Sequence, residues 1–360
     1  MRTSWESGVP SKRNLTPPEL SPSVLDIDVE AVAEEIVASL RQAVRGRLRK
    51  GGAVVGLSGG IDSSVVLALC ARAFGPEKVL AVLMPERDSA EETLRLSQLA
   101  ARSVAVPTAM EDITEALEAI GCYRRRDEAF GDLIPGYGPG WKAKIVLPPI
   151  LGGDLLRVFF VVARSPAGDE LRARVTVDTY RRIVAATNFK QRVRKMLEYY
   201  HADRLDYAVA GTPNRLEYDL GFFVKNGDGS ADVKPIARLY KTQVYELATF
   251  LRIPEEIRSR APTTDTYPLE QDQQEFFFAL PYEKMDLALY ARTNGYPPES
   301  LAKALEVSLD DAQHVYRDID AKRRIADVLN LPPLTGGADA ADDSMTAEST
   351  HATRPGSLSA

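Results

Sequence analysis

Cysteine is scarce in this chain: two in 360 residues, Cys70 and Cys122. Two thiols cannot build a disulfide framework, and no CxxC pair suggests a zinc or iron–sulfur site. The chain therefore reads as a protein of a reducing compartment. Long apolar runs are missing too. None approaches the ~20 residues of a membrane helix, and the N-terminus lacks the apolar core of a secretion signal. A soluble, cytoplasmic protein is expected. An excess of positive charge is also missing. The net charge is −6 and the pI about 5.4, which argues against the broad basic footprint of a nucleic-acid binder. Histidine occurs only at 201, 314 and 351, and no dedicated general base stands out.

What is present is a globular composition, 44% hydrophobic and 27% charged, on a chain long enough for a sizeable core. Residues 1–24 are rich in Pro, Ser and charge, and residues 335–360 are small and polar. Both are expected to be disordered, leaving a folded body over 25–334. Apolar residues at helical spacing run from Val29 to Arg49. Ala53–Leu57 reads as a buried strand, Val65–Phe74 as a helix, Val79–Met84 as a second strand and Ser89–Ser103 as a second helix. That rhythm predicts an α/β fold, a parallel sheet with helices on both faces. The stretch 123–155 is rich in Gly and Pro and reads as loop. Arg157–Ala163 and Leu171–Val177 read as an inserted β-hairpin around Ser165–Asp169, within a 123–185 insertion. Asp178–Asp203 reads as a helix and Tyr207–Gly211 as another buried strand. Tyr240–Leu251, Glu283–Arg292 and Leu309–Leu329 read as helices, the last two a helical C-terminal extension.

The chemistry centres on Ser58-Gly59-Gly60-Ile61-Asp62-Ser63, between the first strand and its helix. Backbone amides and a helix N-terminus make an anion site there, and the glycines let the backbone approach a phosphate closely. No lysine sits in the loop, which excludes the Walker A pattern. A carboxylate, Asp62, sits there instead. A carboxylate facing phosphates makes sense mainly with a metal between them, and Mg²⁺ is commonly held by one or two carboxylates plus phosphate oxygens. Glu217, also placed after a strand, is the natural second carboxylate, because open α/β sheets bind ligands at their C-terminal edge.

The SGGxDS loop resembles the PP-loop of the N-type ATP pyrophosphatases, whose fold is Rossmann-like (adenine nucleotide alpha hydrolase-like). An ordered series downstream narrows the resemblance. It comprises Gly211-Thr212-Pro213-Asn214-Arg215-Leu216-Glu217, Gly221–Asp232 with Lys225-Asn226-Gly227-Asp228-Gly229, Leu239–Gln243 and Arg260–Asp265. From about residue 30 to 330 the chain resembles the NAD synthetases. The resemblance implies ATP contacts from Gly56, Leu57, Ser58, Gly59, Gly60, Ile61, Asp62 and Ser63. It also implies ATP contacts from Thr212, Lys241 and Thr263, with Mg²⁺ on Asp62 and Glu217. It gives Asp62 and Lys241 the catalytic roles. Arg192, Lys225, Asp232 and Lys322 are implied contacts of deamido-NAD. Ala321 stands where the family usually has histidine. Met84–Ser89 resembles a loop that closes over the nucleotide; a plain connection capped by Ser89 is the other reading. A homodimer is implied as well.

Too few residues precede the loop for a nitrilase-type glutaminase domain, and neither cysteine has the setting of a nucleophile. Ammonia, free or delivered by a separate glutaminase, is the expected nitrogen donor. The resemblance then implies adenylation of the nicotinate carboxylate by ATP, followed by displacement of AMP. Three alternatives stay open on sequence alone. One is a PP-loop ligase acting on another carboxylate, and another is a nucleotide binder without activity. The third is a tRNA-modifying enzyme using Arg124–Arg126, Arg192, Arg194 and Lys195, for which a solvated charged face is the plainer reading of Arg124–Arg126.

Overall fold

A computed structural model describes residues 19–147, 159–260, 267–269, 277–278 and 280–334. The first half follows the expected rhythm: α1 (Val29–Arg41), β1 (Ala53–Gly56), α2 (Ile61–Phe74), β2 (Val79–Leu83), α3 (Glu91–Ser103), β3 (Thr108–Met110), α4 (Thr114–Ala119) and α5 (Cys122–Gly131). Next come β4 (Lys142–Val146), β5 (Phe160–Arg164), β6 (Glu170–Arg174), α6 (Val177–Leu205), β7 (Ala208–Ala210) and α7 (Arg215–Leu220). The described chain ends with α8 (Lys241–Phe250), α9 (Glu255–Arg258), α10 (Tyr282–Thr293), α11 (Pro298–Leu305) and α12 (Leu309–Asn330).

Four strands form a parallel sheet in the order β3-β2-β1-β7. The period-2 alternation of strand side chains sorts their residues between two cores. Ala53 and Val55, Val79, Ala81 and Leu83, with Ala208 and Ala210, face a core shared with α1, α2, α3 and α8. Val54, Leu80, Val82 and Val209 face the opposite way, against α4, α5 and α6. Because the strands are parallel, Gly56, Leu83 and Ala210 all end on one edge, and the site forms there.

The 123–155 stretch is not the loop that its Gly and Pro content predicts. It contains helix α5 and strand β4, and β4 joins the expected hairpin β5–β6 in a three-stranded antiparallel sheet. The inner face of this sheet (Ala143, Ile145, Val161, Ala163) packs on Ala129 and Phe130 of α5 and on Ile183 of α6. The N-terminal expectation also changes. Residues 19–25 lie within or beside the segment expected to be disordered. Leu20 and Leu25 are buried in a third core with α7, α10, α11 and α12, and the Leu25 carbonyl accepts a bond from Gln243 Nε2 at 2.8 Å. No helix among the described residues is long and apolar enough to cross a membrane.

Candidate active site

A cavity of about 420 Å³ opens at the C-terminal edge of the parallel sheet, and Gly56 through Ser63 form its floor. The turn out of β1 has backbone demands that the sequence meets. Gly59 has φ +71, and a Cβ there would lie 2.7 Å from the Thr93 carbonyl oxygen and 2.8 Å from the Ser97 amide of α3. Gly56 lacks room for a different reason: its Cβ would lie 2.5 Å from Glu198 Oε1. Ser97 Oγ donates to the Leu57 carbonyl at 3.1 Å, and the Leu57 amide donates to Val82 at 2.9 Å. Ser63 Oγ donates to the Gly60 carbonyl at 3.1 Å and lies 3.2 Å from Ser58 Oγ. The loop is therefore a fixed cradle at the start of α2, with amides and a helix N-terminus open toward an anion.

Asp62, in the first turn of α2, is the hub. Its Oδ2 is ion-paired with Lys241 Nζ, and its Oδ1 accepts from Asn214 Nδ2 at 3.0 Å. Lys241 is fully buried behind it at the first position of α8. Burial works against the Lys241 charge, but Asp62 and Glu217 outweigh it and hold the ammonium above its ordinary value. Asp286 of α10 fixes that helix end. Its carboxylate accepts from the Lys241 amide at 3.2 Å and the Thr242 amide at 2.7 Å. Burial pushes its own carboxyl up to about 6.

Glu217 enters from α7. Asn214 caps that helix reciprocally: the Glu217 amide donates to Asn214 Oδ1 at 3.2 Å, and the Asn214 amide donates to Glu217 Oε2 at 3.1 Å. Removal from water, and then the charge of Asp62, push the Glu217 carboxyl up to about 8, with Lys241 opposing. Two carboxylates thus compete for one buried lysine. Such a pair suits a small, hard divalent cation. Among the described residues no group of three or more His, Cys, Asp or Glu gathers. Mg²⁺ takes few protein ligands and completes its shell with water and phosphate oxygens. Asn214, quoted in sequence only as a motif letter, is the residue that ties the two carboxylates together. Its place at a helix start, three residues before a glutamate, was the available signal.

Thr212 lines the cavity, whereas Thr263 lies outside the described residues. The residues implied for the second substrate are not gathered at the cavity. Arg192 is exposed and donates to the Lys225 carbonyl at 3.3 Å; Lys225 Nζ reaches the Leu331 carbonyl at 3.3 Å. Asp232 accepts from the Val209 amide at 2.8 Å, sealing the outer edge of β7. Lys322 bonds the Phe277 carbonyl at 2.6 Å and pairs with Asp318. Instead, α6 lines the cavity with Lys190, Arg194 and Lys195, and Lys195 pairs with Glu198 at 2.5 Å. The Asn226–Gly229 turn is packed against α6. Asn226 has φ 61, Asp228 Oδ1 accepts from the Val224 amide at 2.8 Å, and Gly227 packs against Gln191 of α6.

The arginine cluster divides. Arg124 is exposed and pairs with Glu128, but Arg126 is buried with Asp88 and Asp127, so the solvated-face reading fails for it. Ser89 does not cap α3, whose N-cap is Ala90 and has no side-chain bond; the Ser89 hydroxyl accepts from the Glu86 amide at 3.1 Å. Burial pushes the Cys70 thiol up to about 12 and raises Cys122 as well, so neither has the low-pKa setting of a nucleophile.

Against known proteins, the NAD synthase family profile matches residues 32–131 and 169–325, so β4 and β5 lie between the two matched stretches. The chain is 54% identical to the NH(3)-dependent NAD(+) synthetase of Mesorhizobium japonicum over 311 residues, 86% of this chain and 98% of that protein. It is 54% identical to the enzyme of the same name from Rhizobium meliloti over 313 residues, 87% of this chain and 93% of that protein. The solved NH3-dependent NAD synthetase of Campylobacter jejuni superposes with a TM-score of 0.56 at 21% identity, covering 85% of this chain and 98% of that one. At that identity the likeness speaks for the fold.

Proposed function

Because the chain belongs to the NAD synthase family, we propose that it amidates deamido-NAD to NAD with ATP and ammonia. The observation that carries this reading is the pairing of Asp62 and Glu217 through Asn214 beside the Ser58–Ser63 cradle, with Lys241 buried behind them. The amides and hydroxyls of the cradle bind and orient the ATP phosphates. A nicotinate carboxylate oxygen of deamido-NAD attacks the α-phosphorus, the bond to the pyrophosphate oxygen breaks, and pyrophosphate leaves. Ammonia then adds to the acyl carbon of the adenylate. AMP departs with the C–O bond electrons, and the nitrogen loses a proton to leave the amide. Catalysis of this kind is mainly positioning and charge stabilisation. Asp62 and Glu217 would hold Mg²⁺, which, when bound, offsets negative charge on the phosphate oxygens. Lys241 pairs with Asp62 from behind and holds it at the cavity wall.

Thr263 belongs with the ATP contacts in this reading. Arg192, Lys225, Asp232 and Lys322 belong to the deamido-NAD site, which a homodimer would complete. Arg192 on α6 and Lys225 beside it lie exposed, where a second copy could reach them. The reaction is assigned to the cytoplasm.

The test is to incubate the protein with deamido-NAD, ATP and Mg²⁺, supplying either ammonium or glutamine, and to measure NAD, AMP and pyrophosphate. Equal amounts of the three products with ammonium, and none with glutamine, are expected. ATP cleaved to AMP without NAD would point to another carboxylate and sink the assignment.

A further inference from the structure

The Met84–Ser89 loop forms one lip of the cavity through Met84, Pro85 and Ser89. Its other side sends two carboxylates into the protein. Lys190 of α6 donates to Glu86 Oε1 at 2.8 Å and to Asp88 Oδ2 at 2.9 Å. Arg126 of α5 pairs with the same Asp88 and, at 2.8 Å, with Asp127. Tyr123 OH donates to Glu86 Oε2 at 2.8 Å, and the Arg87 guanidinium sits 3.7 Å over the Tyr123 ring. Glu86, Lys190, Arg126 and Tyr123 are each at most 5% exposed. The backbone of the loop is closed as well. The Ser89 amide donates to the Glu86 carbonyl at 2.8 Å, and the Asp88 amide donates to Glu86 Oε2 at 3.1 Å.

A cluster of buried charges is weak evidence for stability, because desolvation cancels most of the attraction. What it can supply is a single arrangement, since each carboxylate is held from several sides at once. The cluster also has a rigid backing. Arg126 projects from α5, whose Ala129 and Phe130 are packed on the three-stranded sheet. A continuous contact path therefore runs from that sheet through α5 and Arg126 to Asp88 and the cavity lip. A loop that closes only over bound nucleotide would have no reason to be tied down so completely from behind.

We propose that α5 and the three-stranded sheet brace the Met84–Ser89 loop, with Arg126 and Lys190 as positioning residues that set the lip of the cavity before ATP arrives. This rests on the reading that the cavity binds ATP. It assigns a purpose to β4 and β5, which lie between the two stretches matched by the family profile.

Two measurements test it. The first is amide hydrogen exchange across residues 84–89 in the full chain, with and without ATP. The brace requires the free protein to protect these amides nearly as well as the ATP-bound protein, within about threefold. A gain in protection of about a hundredfold on adding ATP would overturn it. This readout needs no turnover, so it judges the brace even if the chain were to make no NAD.

The second measurement is Arg126→Gln, a substitution outside the cavity lining. The expected result is a rise of about tenfold in KM for ATP, with kcat within about twofold and faster exchange at 84–89. Arg126→Lys should recover much of the loss. A fall in kcat with unchanged KM for ATP, or unchanged loop exchange in a folded variant, would overturn the assignment. Should Arg126→Gln not fold, Tyr123→Phe removes one hydroxyl, which bonds Glu86 and the Arg87 backbone of the loop. Unchanged exchange at 84–89 in that variant would likewise overturn it.

Discussion

At the scale of single residues, the site is built on conflicts that other residues resolve. Asp62 and Lys241 are a buried pair whose members depend on each other. Removing one partner of such a pair typically costs about 3–5 kcal/mol, whereas replacing both with neutral groups is often close to neutral. Asp62→Asn is therefore expected to lower the melting temperature and to reduce pyrophosphate release by about a hundredfold or more. Adding Lys241→Met to it should return much of the stability and none of the activity. Thermal melts alongside pyrophosphate release would check both halves; near-normal turnover in Asp62→Asn would defeat the assignment of that residue. The glycines of the cradle differ in the same testable way. Gly59→Ala meets both a left-handed backbone and the backbone of α3, so a loss of at least about 2 kcal/mol in urea unfolding is expected. Gly60→Ala would meet only Ser58 Oγ at 3.4 Å and should fold as well as the parent while binding ATP less well.

At the scale of elements, helix ends carry the functional groups, and their caps come from elsewhere in the chain. Asp286 of α10 caps α8, the helix that begins with Lys241. Burial raises its carboxyl to about 6, above the ordinary aspartate value of about 3.9. A carboxyl raised on folding contributes stability that is complete below its unfolded pKa and lost as pH rises through its folded pKa. For Asp286 the loss falls between about pH 4 and about pH 6. Asp286→Asn keeps an acceptor for one amide but does not titrate. Its stability relative to the parent should therefore improve by about 2 kcal/mol between pH 4.5 and pH 7, read from urea midpoints at both values. A gap that stays constant with pH would refute this role. Elements of this kind were unevenly legible in the sequence. The buried strands and the helices of the parallel sheet were, because fully buried runs and helical periodicity are local signals. Helix α5 was not. Its sequence, Cys122-Tyr123-Arg124-Arg125-Arg126-Asp127-Glu128, carries its buried face partly on an arginine, and hydropathy reads arginine as solvent-facing. Strand β4 was missed because its alternating Lys142, Ala143, Lys144, Ile145 is short and follows a Gly- and Pro-rich stretch.

At the scale of the whole molecule, the cradle and both carboxylates were legible because each sits in a local motif. The tie between them was not, since Asn214 reaches Asp62 across 152 positions of sequence. The residues implied for deamido-NAD remain apart from the cavity within one chain, and two of the helices that carry them, α6 and α12, also expose large apolar side chains. On α6, Met196 is 61% and Tyr200 57% exposed, about one and two helical turns beyond Arg192; on α12, Ile325 is 60% and Val328 63% exposed. The Arg192–Lys225–Leu331 contacts link the middle of α6 to the residue after α12, and the dimer reading places these side chains on one shared face. Apolar groups grouped in this way on a soluble surface mark an interaction site more often than chance, and a two-fold interface would use the same patch on both copies. Because each patch residue would then be buried twice, a single charge there acts twice. Tyr200→Glu is accordingly expected to shift the sedimentation mass from dimer to monomer at micromolar concentration. Its melting temperature should become independent of protein concentration, as mass action requires once association is lost. KM for deamido-NAD should rise more than KM for ATP, because only the deamido-NAD site is read as needing the second copy. A parent protein that sediments as a monomer, or a Tyr200→Glu variant that stays dimeric with unaltered KM for deamido-NAD, would exclude this face as the interface.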